Sequence, residues 1–254
     1  MSLSPGALVQ TLTFGDLKAG LWGVAWLPTA GEGFIAVGAP SHACFTVTAP
    51  SLEGSGPAGE WKVSGDGVSL VVTPVGEPAS LRLAGAHLQG FDQLCRVVGR
   101  VRVGEVEHRV DCPGGRGGRS GHWAAQSVRE LAAWFDDDEG LAVVSVRGPK
   151  AAGHDADVLS AALFEAGQPI GVAEPRLSTT YAASGVPSRA SLELWLDGED
   201  PDSDAAVFPR RAAGEAVGRG GVMKHGGLEV RAELFRWHMR GRDGTGVYQL
   251  IRRR

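Results

Sequence analysis

The densest group of chemically reactive side chains lies between Cys112 and Trp123 (CPGGRGGRSGHW), where two arginines, a serine, a histidine and a tryptophan stand among glycines. Guanidinium groups, and backbone N–H groups that glycine leaves accessible, bind anions and carbonyl oxygens. Arg116 and Arg119 are therefore the expected charged donors of a ligand site, and Arg116 or His122 would polarise a carbonyl or donate a proton. The alternative is a flexible loop between strands, because only some glycine-rich loops bind a ligand.

Familiar catalytic and metal-binding motifs do not fit this sequence. Residues 118–121 are one residue short of a G-x-S-x-G nucleophile motif, and the segment has neither the lysine of a phosphate-binding loop nor a dinucleotide-binding glycine pattern. The acidic run 197–204 lacks the central glycine of a calcium loop. The remaining metal candidates match no zinc-binding spacing: Cys95, His108, Cys112 and His122. We therefore predict neither a metal nor a cofactor.

Tryptophan is common in this chain, and six of the tryptophans fall in or beside predicted strands: Trp22, Trp26, Trp123, Trp134, Trp195 and Trp237. Trp22 and Trp26 are separated by an even number of residues, so one strand presents both on the same side. Such side chains either fill a core or line a ligand cavity. His122 precedes Trp123, and His238 follows Trp237. An imidazole beside an aromatic ring is one way to build a desolvated site, although structural histidines are more common.

The elements that must position these residues are short strands. The chain has 38 glycines and 14 prolines, which suit turns and are costly inside helices. Segments rich in Val, Leu, Phe, Trp and Thr recur between them, as in Leu94 to Val103, where arginine and valine alternate. This spacing predicts an all-β sandwich or barrel. The segment Trp123 to Phe135 is ambiguous, since its apolar residues fit an amphipathic helix slightly better than a strand.

Composition also limits the partners and the compartment. The formal charge of -4, with nearly balanced signs, predicts no nucleic-acid or anionic-membrane partner. Three widely spaced cysteines are typical of a reducing compartment. No secretory pattern follows Met1, and no apolar run reaches the length of a membrane span. We expect a soluble cytoplasmic protein whose oligomeric state the sequence does not indicate.

The order of elements from Asp92 to Trp123 resembles the AttH-like and carotenoid-hydratase-like proteins, which include relatives of tocopherol cyclase. In that group a strand ending in a G-x-V-x-V pattern leads to a Gly-Arg-Asp-x-Ser-Trp-type signature. Arg116, Ser120 and Trp123 stand where the Arg, Ser and Trp of that signature would be. The acidic residue is absent here, and additional glycines stretch the spacing.

This resemblance implies an all-β chain of two lipocalin-like (calycin) β-barrel halves, residues 1–112 and 113–254. The chain is short for two full barrels, so one half is expected to be reduced, and we assign the reduction to the second half. The resemblance also favours a strand over a helix for Trp123 to Phe135, and we adopt the strand.

The function implied by the resemblance is binding of a hydrophobic, isoprenoid- or polyketide-like small molecule inside a barrel or between the two halves. An enzyme of this kind would be a cofactor-independent cyclase, hydratase or isomerase, with Arg116 and His122 as the catalytic candidates. The alternative is a non-catalytic carrier, and a third interpretation is a structural protein whose tryptophans are core. The candidate ligand-binding residues are Trp22, Trp26, Ser120, Trp123, Trp134, Trp195, Trp237 and His238.

Overall fold

The computed structural model of the chain is built almost entirely of β-strands. The only helix within the described residues is a single 3-10 turn at Ala84–Ala86, and it is far too short to span a membrane. The predicted all-β class is therefore confirmed. The described residues are 8–30, 32–40, 42–121, 125–149, 151, 157–197, 208–218 and 220–253.

The first nine strands form one antiparallel sheet with the order β4-β3-β2-β1-β9-β8-β7-β6-β5. Its edge strands, β4 and β5, do not pair with each other within the described residues, so the curled sheet is a half-barrel. The strands are β1 (Val9–Asp16), β2 (Leu21–Pro28), β3 (Phe34–Ala39), β4 (His42–Thr48), β5 (Ser51–Glu53), β6 (Trp61–Gly65), β7 (Val68–Leu83), β8 (Leu88–Val103) and β9 (Val106–Gly121).

The last nine strands form a second antiparallel sheet with the order β15-β14-β13-β12-β11-β10-β18-β17-β16. An additional pairing of β15 with β17 closes eight of these strands into a barrel. The strands are β10 (Ser127–Trp134), β11 (Gly140–Arg147), β12 (Asp157–Glu165), β13 (Gln168–Tyr181), β14 (Pro187–Leu196), β15 (Arg210–Ala216), β16 (Gly221–His225), β17 (Leu228–Met239) and β18 (Arg242–Arg253).

The predicted two-halved lipocalin-like fold is thus confirmed, with one correction. The half that remains open is the first and not the second, because only the second sheet has a pairing that joins its two sides. Strand β9 runs without interruption across residues 112 and 113, and the chain changes sheet between Gly121 and Ser127. The domain division at 112/113 stays a prediction.

Two local predictions have different outcomes. Ser127–Trp134 is a strand, as adopted above for the wider segment. The glycine-rich segment, in contrast, is not a loop: residues 114–121 belong to β9, which lies between β1 and β8. A Cβ on Gly117 would lie 2.5 Å from the Arg119 guanidinium, and one on Gly118 would lie 2.6 Å from the Phe91 ring. Glycine is required here because side chains pack directly on the strand backbone.

The buried side chains form three apolar clusters. One fills the half-barrel, one fills the closed barrel, and the third lies between the two sheets. We call this third layer the seam. On β2 the residues alternate, with Trp22 and Trp26 in the seam and Leu21 and Leu27 in the half-barrel. The prediction that both tryptophans lie on the same side of one strand is confirmed.

Candidate functional site

A chain of hydrogen-bonded polar and charged side chains crosses the seam, which is otherwise mainly apolar. The first sheet contributes Asp92 from β8 and Arg119 from β9, and the second contributes Glu130 from β10 and Gln249 from β18. Arg119 Nη2 donates to Asp92 Oδ1 at 2.5 Å, and Arg119 Nε donates to Glu130 Oε1 at 3.2 Å. Gln249 Nε2 donates to Glu130 Oε2 at 2.7 Å. We call these four residues the Arg119 cluster.

Burial controls the charges in the Arg119 cluster. The side chains of Arg119 and Glu130 are only 3% and 7% exposed, so both ions have lost nearly all their water. Burial alone lowers the pKa of Arg119, but the attraction of Asp92 and Glu130 raises it overall, so the guanidinium keeps its charge. Burial raises the pKa of Glu130, and Arg119 offsets only part of the rise. Glu130 therefore holds a proton more readily than an ordinary glutamate does.

A small cavity borders the Arg119 cluster. Its volume is about 30 Å³, enough for one water molecule or one oxygen atom of a ligand. Trp134 lines it with a side chain that is 2% exposed, and its indole Nε1 has no hydrogen-bond acceptor among the described residues. The other seam residues that line the cavity include Thr11, Thr13, Leu94, Ala132 and Phe164. We call this space the seam cavity.

Small residues explain why polar groups of the two sheets meet here. Gly115 on β9 faces Ala132 on β10, and a Cβ on Gly115 would lie 3.4 Å from the Cβ of Ala132. Ala132 pairs with Ala142 on β11, so the adjacent position on the second sheet is small as well. Because the backbones approach closely at these positions, Arg119 can reach Glu130 on the opposite sheet.

Arg116, predicted to be catalytic, lies on the opposite face of β9. Its guanidinium stacks 4.8 Å above the Trp61 ring inside the half-barrel. Arg116 Nη1 donates to the Gly59 carbonyl at 2.5 Å, Nη2 donates to the Pro57 carbonyl, and Nε donates to Gln93 Oε1 at 3.0 Å. Burial lowers the pKa of Arg116. In this arrangement Arg116 fastens the segment before β6 to the half-barrel.

The remaining predicted site residues lie in several places. Trp22, Trp26 and Trp134 lie in the seam, and Trp237 lies inside the closed barrel, where its ring stacks 5.8 Å from that of Phe235. Ser120 is near the end of β9 and donates to the Gln89 carbonyl at 3.4 Å. Trp195 is near Arg176, whose guanidinium lies 6.0 Å from its ring. His122 and Trp123 lie outside the described residues.

His238 lies in a wide groove on the outside of the closed barrel. The groove has a volume of about 560 Å³, and both polar and apolar residues line it, including Trp237. His238 Nδ1 lies 3.0 Å from Asp243 Oδ1, and both side chains are largely exposed. The lining also includes Ser178, Thr180, Arg189, Ser191, Ala213 and Glu215. We call this feature the outer groove; it is open and several charged side chains line it, so it encloses an apolar ligand poorly.

A second buried polar network lies inside the closed barrel. Arg129 Nη2 donates to Ser145 Oγ at 3.0 Å and also to Asp157. Thr179 Oγ1 and the Tyr248 hydroxyl share a hydrogen bond of 2.7 Å. Burial raises the pKa of Tyr248, which therefore stays protonated. Asp157 Oδ1 accepts no hydrogen bond from the described residues and lies 3.6 Å from Arg147 Nε, whereas the other groups named here are hydrogen-bonded. The network therefore links several strands inside the barrel.

No group of three or more histidine, cysteine or carboxylate side chains within the described ranges has the arrangement of a metal site. The seam cavity combines apolar lining residues with the indole of Trp134 and the adjacent Arg119 cluster, which is the chemistry needed to accommodate a polar group attached to an apolar body. Asp92, Glu130 and Gln249 were missed by the sequence analysis. For Glu130 a signal existed, since on a strand it shares its face with Ala132 and Trp134 and is the charged exception there.

The fold is a two-halved lipocalin-like fold with the arrangement seen in AttH-like structures. Among solved structures, the chain is similar to a candidate AttH protein from Nitrosomonas europaea, with a TM-score of 0.65 and 10% identity over 97% of this chain and 92% of the other. It is also similar to CghA solved with Sch210972, with a TM-score of 0.62 and 12% identity over 97% and 88% of the two chains.

A further structure of CghA gives a TM-score of 0.63 and 11% identity over the same shares of the two chains. No protein-family model and no curated protein matches this chain. At such low identity the likeness concerns the fold. It confirms the architecture implied by the sequence resemblance, and the function is argued below from this chain's own residues.

Proposed function

We propose that this protein binds a hydrophobic small molecule in the seam and holds the polar end of that molecule beside the Arg119 cluster. The observation that carries the proposal is the seam cavity, where buried charged groups and the indole of Trp134 meet an apolar layer. Ligand sites are typically apolar with a few convergent polar groups, and they occur preferentially between domains. Replacing a buried ion pair by apolar side chains is often neutral or stabilising, so packing of the two sheets does not by itself require these charges.

The size of the cavity determines how a ligand would enter. About 30 Å³ holds one oxygen function, whereas small-molecule sites measure roughly 300–1,000 Å³. The hydrocarbon body must therefore displace apolar side chains of the seam, of which Leu94 and Phe164 border the cavity. The bound molecule would contact both sheets, and its binding energy would offset the cost of moving these side chains.

Catalysis at the same place is the second candidate function, and Glu130 favours it. Its raised pKa gives it a larger protonated fraction near neutral pH than an ordinary glutamate has, as a general acid requires. Arg119 and Gln249 fix the two carboxyl oxygens, so the group would be oriented toward a substrate. A cyclisation, hydration or isomerisation needs such proton transfer without a cofactor. Arg116 and His122 remain the catalytic candidates predicted from the sequence.

The test is a binding screen with isoprenoid alcohols, quinones, polyenes and fatty acids. Binding is measured by quenching of tryptophan fluorescence and by the rise in melting temperature. A ligand at about 100 times its Kd should stabilise the protein by about 2.7 kcal/mol. For a domain of this size that corresponds to a rise of roughly 5–11 °C. Saturable quenching together with this rise would support the proposal, and the absence of any shift across the panel would refute it.

Two matched variants locate the site. Ala142→Leu adds bulk beside the seam cavity, and Ala213→Leu adds the same bulk in the outer groove. We expect Ala142→Leu to weaken binding at least about tenfold and Ala213→Leu to leave it unchanged, a difference of about 1.4 kcal/mol or more. The reverse result would assign the ligand to the outer groove. If Ala142→Leu does not fold, the smaller change Ala132→Val fills the same cavity from the neighbouring strand.

A further inference from the structure

We infer that the polar end of the bound molecule is an uncharged oxygen function, a ketone or a hydroxyl, and not a carboxylate. This inference rests on the proposed function and specifies the substrate class of the seam site. Three observations carry it: the charges of the Arg119 cluster, the unpartnered indole N–H of Trp134, and the position of Arg116 on the far face of β9.

The Arg119 cluster has no positive charge to spare for an anion. Its one guanidinium lies 2.5 Å from Asp92 Oδ1 and 3.2 Å from Glu130 Oε1, and its Nη1 donates to the Phe91 carbonyl at 2.6 Å and to the Gly118 carbonyl at 3.2 Å. Two carboxyl groups therefore face one cation. With Glu130 ionised, the cluster is net negative, and with Glu130 protonated it is neutral. A ligand carboxylate would be repelled or left unpaired in either state.

Trp134 supplies the hydrogen-bond donor that an uncharged oxygen needs. Its side chain is almost fully buried and lines the seam cavity, yet its indole Nε1 donates to nothing within the described part of the chain. A buried donor without an acceptor is costly, and an oxygen acceptor in the seam cavity would satisfy it. An indole N–H is a neutral donor and binds a ketone or hydroxyl oxygen without requiring a countercharge.

Arg116 is the other cation at the edge of the seam cavity, and it does not provide an anion site. Its guanidinium stacks on Trp61 in the half-barrel and donates to two backbone carbonyls and to Gln93. The register partner of Arg116 on β1 is Leu12, which also faces the half-barrel. The two cations that border the seam cavity are therefore both engaged by protein acceptors.

The experiment compares three ligands with the same hydrocarbon body: farnesol, farnesoic acid and farnesene. Calorimetric titration at about pH 8, where a free carboxylic acid is ionised, should give farnesol at least about tenfold higher affinity than farnesoate. Lowering the pH through the pKa of the acid should strengthen the binding of farnesoic acid and leave that of farnesol nearly unchanged. Equal affinities for farnesol and farnesoate would overturn the inference while leaving hydrophobic binding, and thus the proposed function, in place.

Two variants separate the donor from the charge. Trp134→Phe keeps an aromatic ring but removes the N–H. It should therefore lower the affinity for farnesol about 2- to 10-fold and lower the affinity for farnesene by a smaller factor. Glu130→Gln removes one negative charge and should narrow the difference between farnesol and farnesoate. Equal losses for farnesol and farnesene in Trp134→Phe would refute the donor role. If Trp134→Phe does not fold, the preference of the wild type for farnesol over farnesoate, and the pH dependence of that preference, decide the inference. If none of the three ligands binds, both the inference and the proposed function are refuted.

Discussion

Replacing Arg119 by methionine is the sharpest test of the interaction between the two sheets. The change keeps an unbranched apolar chain but removes four hydrogen bonds, to Asp92, to Glu130 and to two backbone carbonyls. Two carboxyl groups with side-chain exposures of 14% and 7% would remain buried without a cation. Breaking a buried ion pair in this way typically costs about 3–5 kcal/mol.

The expected loss is large enough to measure in two ways. At roughly 2–4 °C per kcal/mol for a chain of this size, the melting temperature should fall by about 6–20 °C. The urea midpoint should fall in parallel with little change of slope. Arg100→Met is the matched control, since Arg100 and its partner Glu107 are 68% and 60% exposed and 3.7 Å apart. That variant should change stability by about 0.5 kcal/mol or less.

The pH dependence gives a second criterion for Arg119→Met. Without Arg119 the pKa of Glu130 in the folded state rises further above that of the unfolded chain, because the attraction that offsets its burial is removed. The stability of the variant is then greatest below the unfolded pKa of Glu130 and falls as the pH rises through the folded pKa. Its deficit relative to wild type should be larger at about pH 8 than at about pH 5. A loss under about 1 kcal/mol, or a deficit that is independent of pH, would refute an ion pair that holds the sheets together.

Three further predictions follow from the same structure. The pKa of Glu130 is raised above its ordinary 4.5, so the wild type loses stability as the pH rises through the folded pKa, whereas Glu130→Gln does not. The urea midpoint of the variant should therefore rise relative to that of the wild type between about pH 5 and pH 8. Gly117→Ala puts a Cβ within 3 Å of three atoms and should cost about 1–3 kcal/mol in thermal melts, whereas Gly148→Ala meets nothing within 4 Å and should be nearly neutral. Tyr248→Phe removes the 2.7 Å hydrogen bond to Thr179 and should lower the free energy of unfolding, measured in urea, by about 0.5–1.5 kcal/mol. An unchanged free energy of unfolding would show that this hydrogen bond does not stabilise the barrel.

The strands could be predicted where one face is apolar and the other is exposed to solvent, as in β8. Successive side chains of a strand point to opposite faces, so apolar and polar residues then alternate in the sequence. The segment with β10 was ambiguous for a physical reason. Glu130, Ala132 and Trp134 face the seam while Leu131 and Ala133 face the barrel interior, so both faces are mostly apolar and the alternation disappears. A helical pattern then fits the same residues by chance.

A flexible loop is one of the two interpretations that the glycine-rich segment offers, and the structure shows a strand there instead. Its role depends on packing from both sides, by Phe91 in the half-barrel and by the Arg119 guanidinium in the seam. Arg116 and Arg119 are three residues apart, and this odd separation places them on opposite faces of a strand. Once the strand is known, the sequence therefore separates the two arginines. The contact between Arg119 and Glu130 could not be predicted, because it depends on how two sheets meet in space.

In each sheet the first strand lies beside the ninth, β1 beside β9 and β10 beside β18, and the chain passes from one sheet to the other once, between Gly121 and Ser127. Each half is therefore a consecutive stretch of chain, and the seam resembles an interface between two subunits that share one tether. The tether sets the effective concentration of each half for the other. A ligand that contacts both faces would act as a molecular glue, and cutting the tether would make its affinity depend on protein concentration.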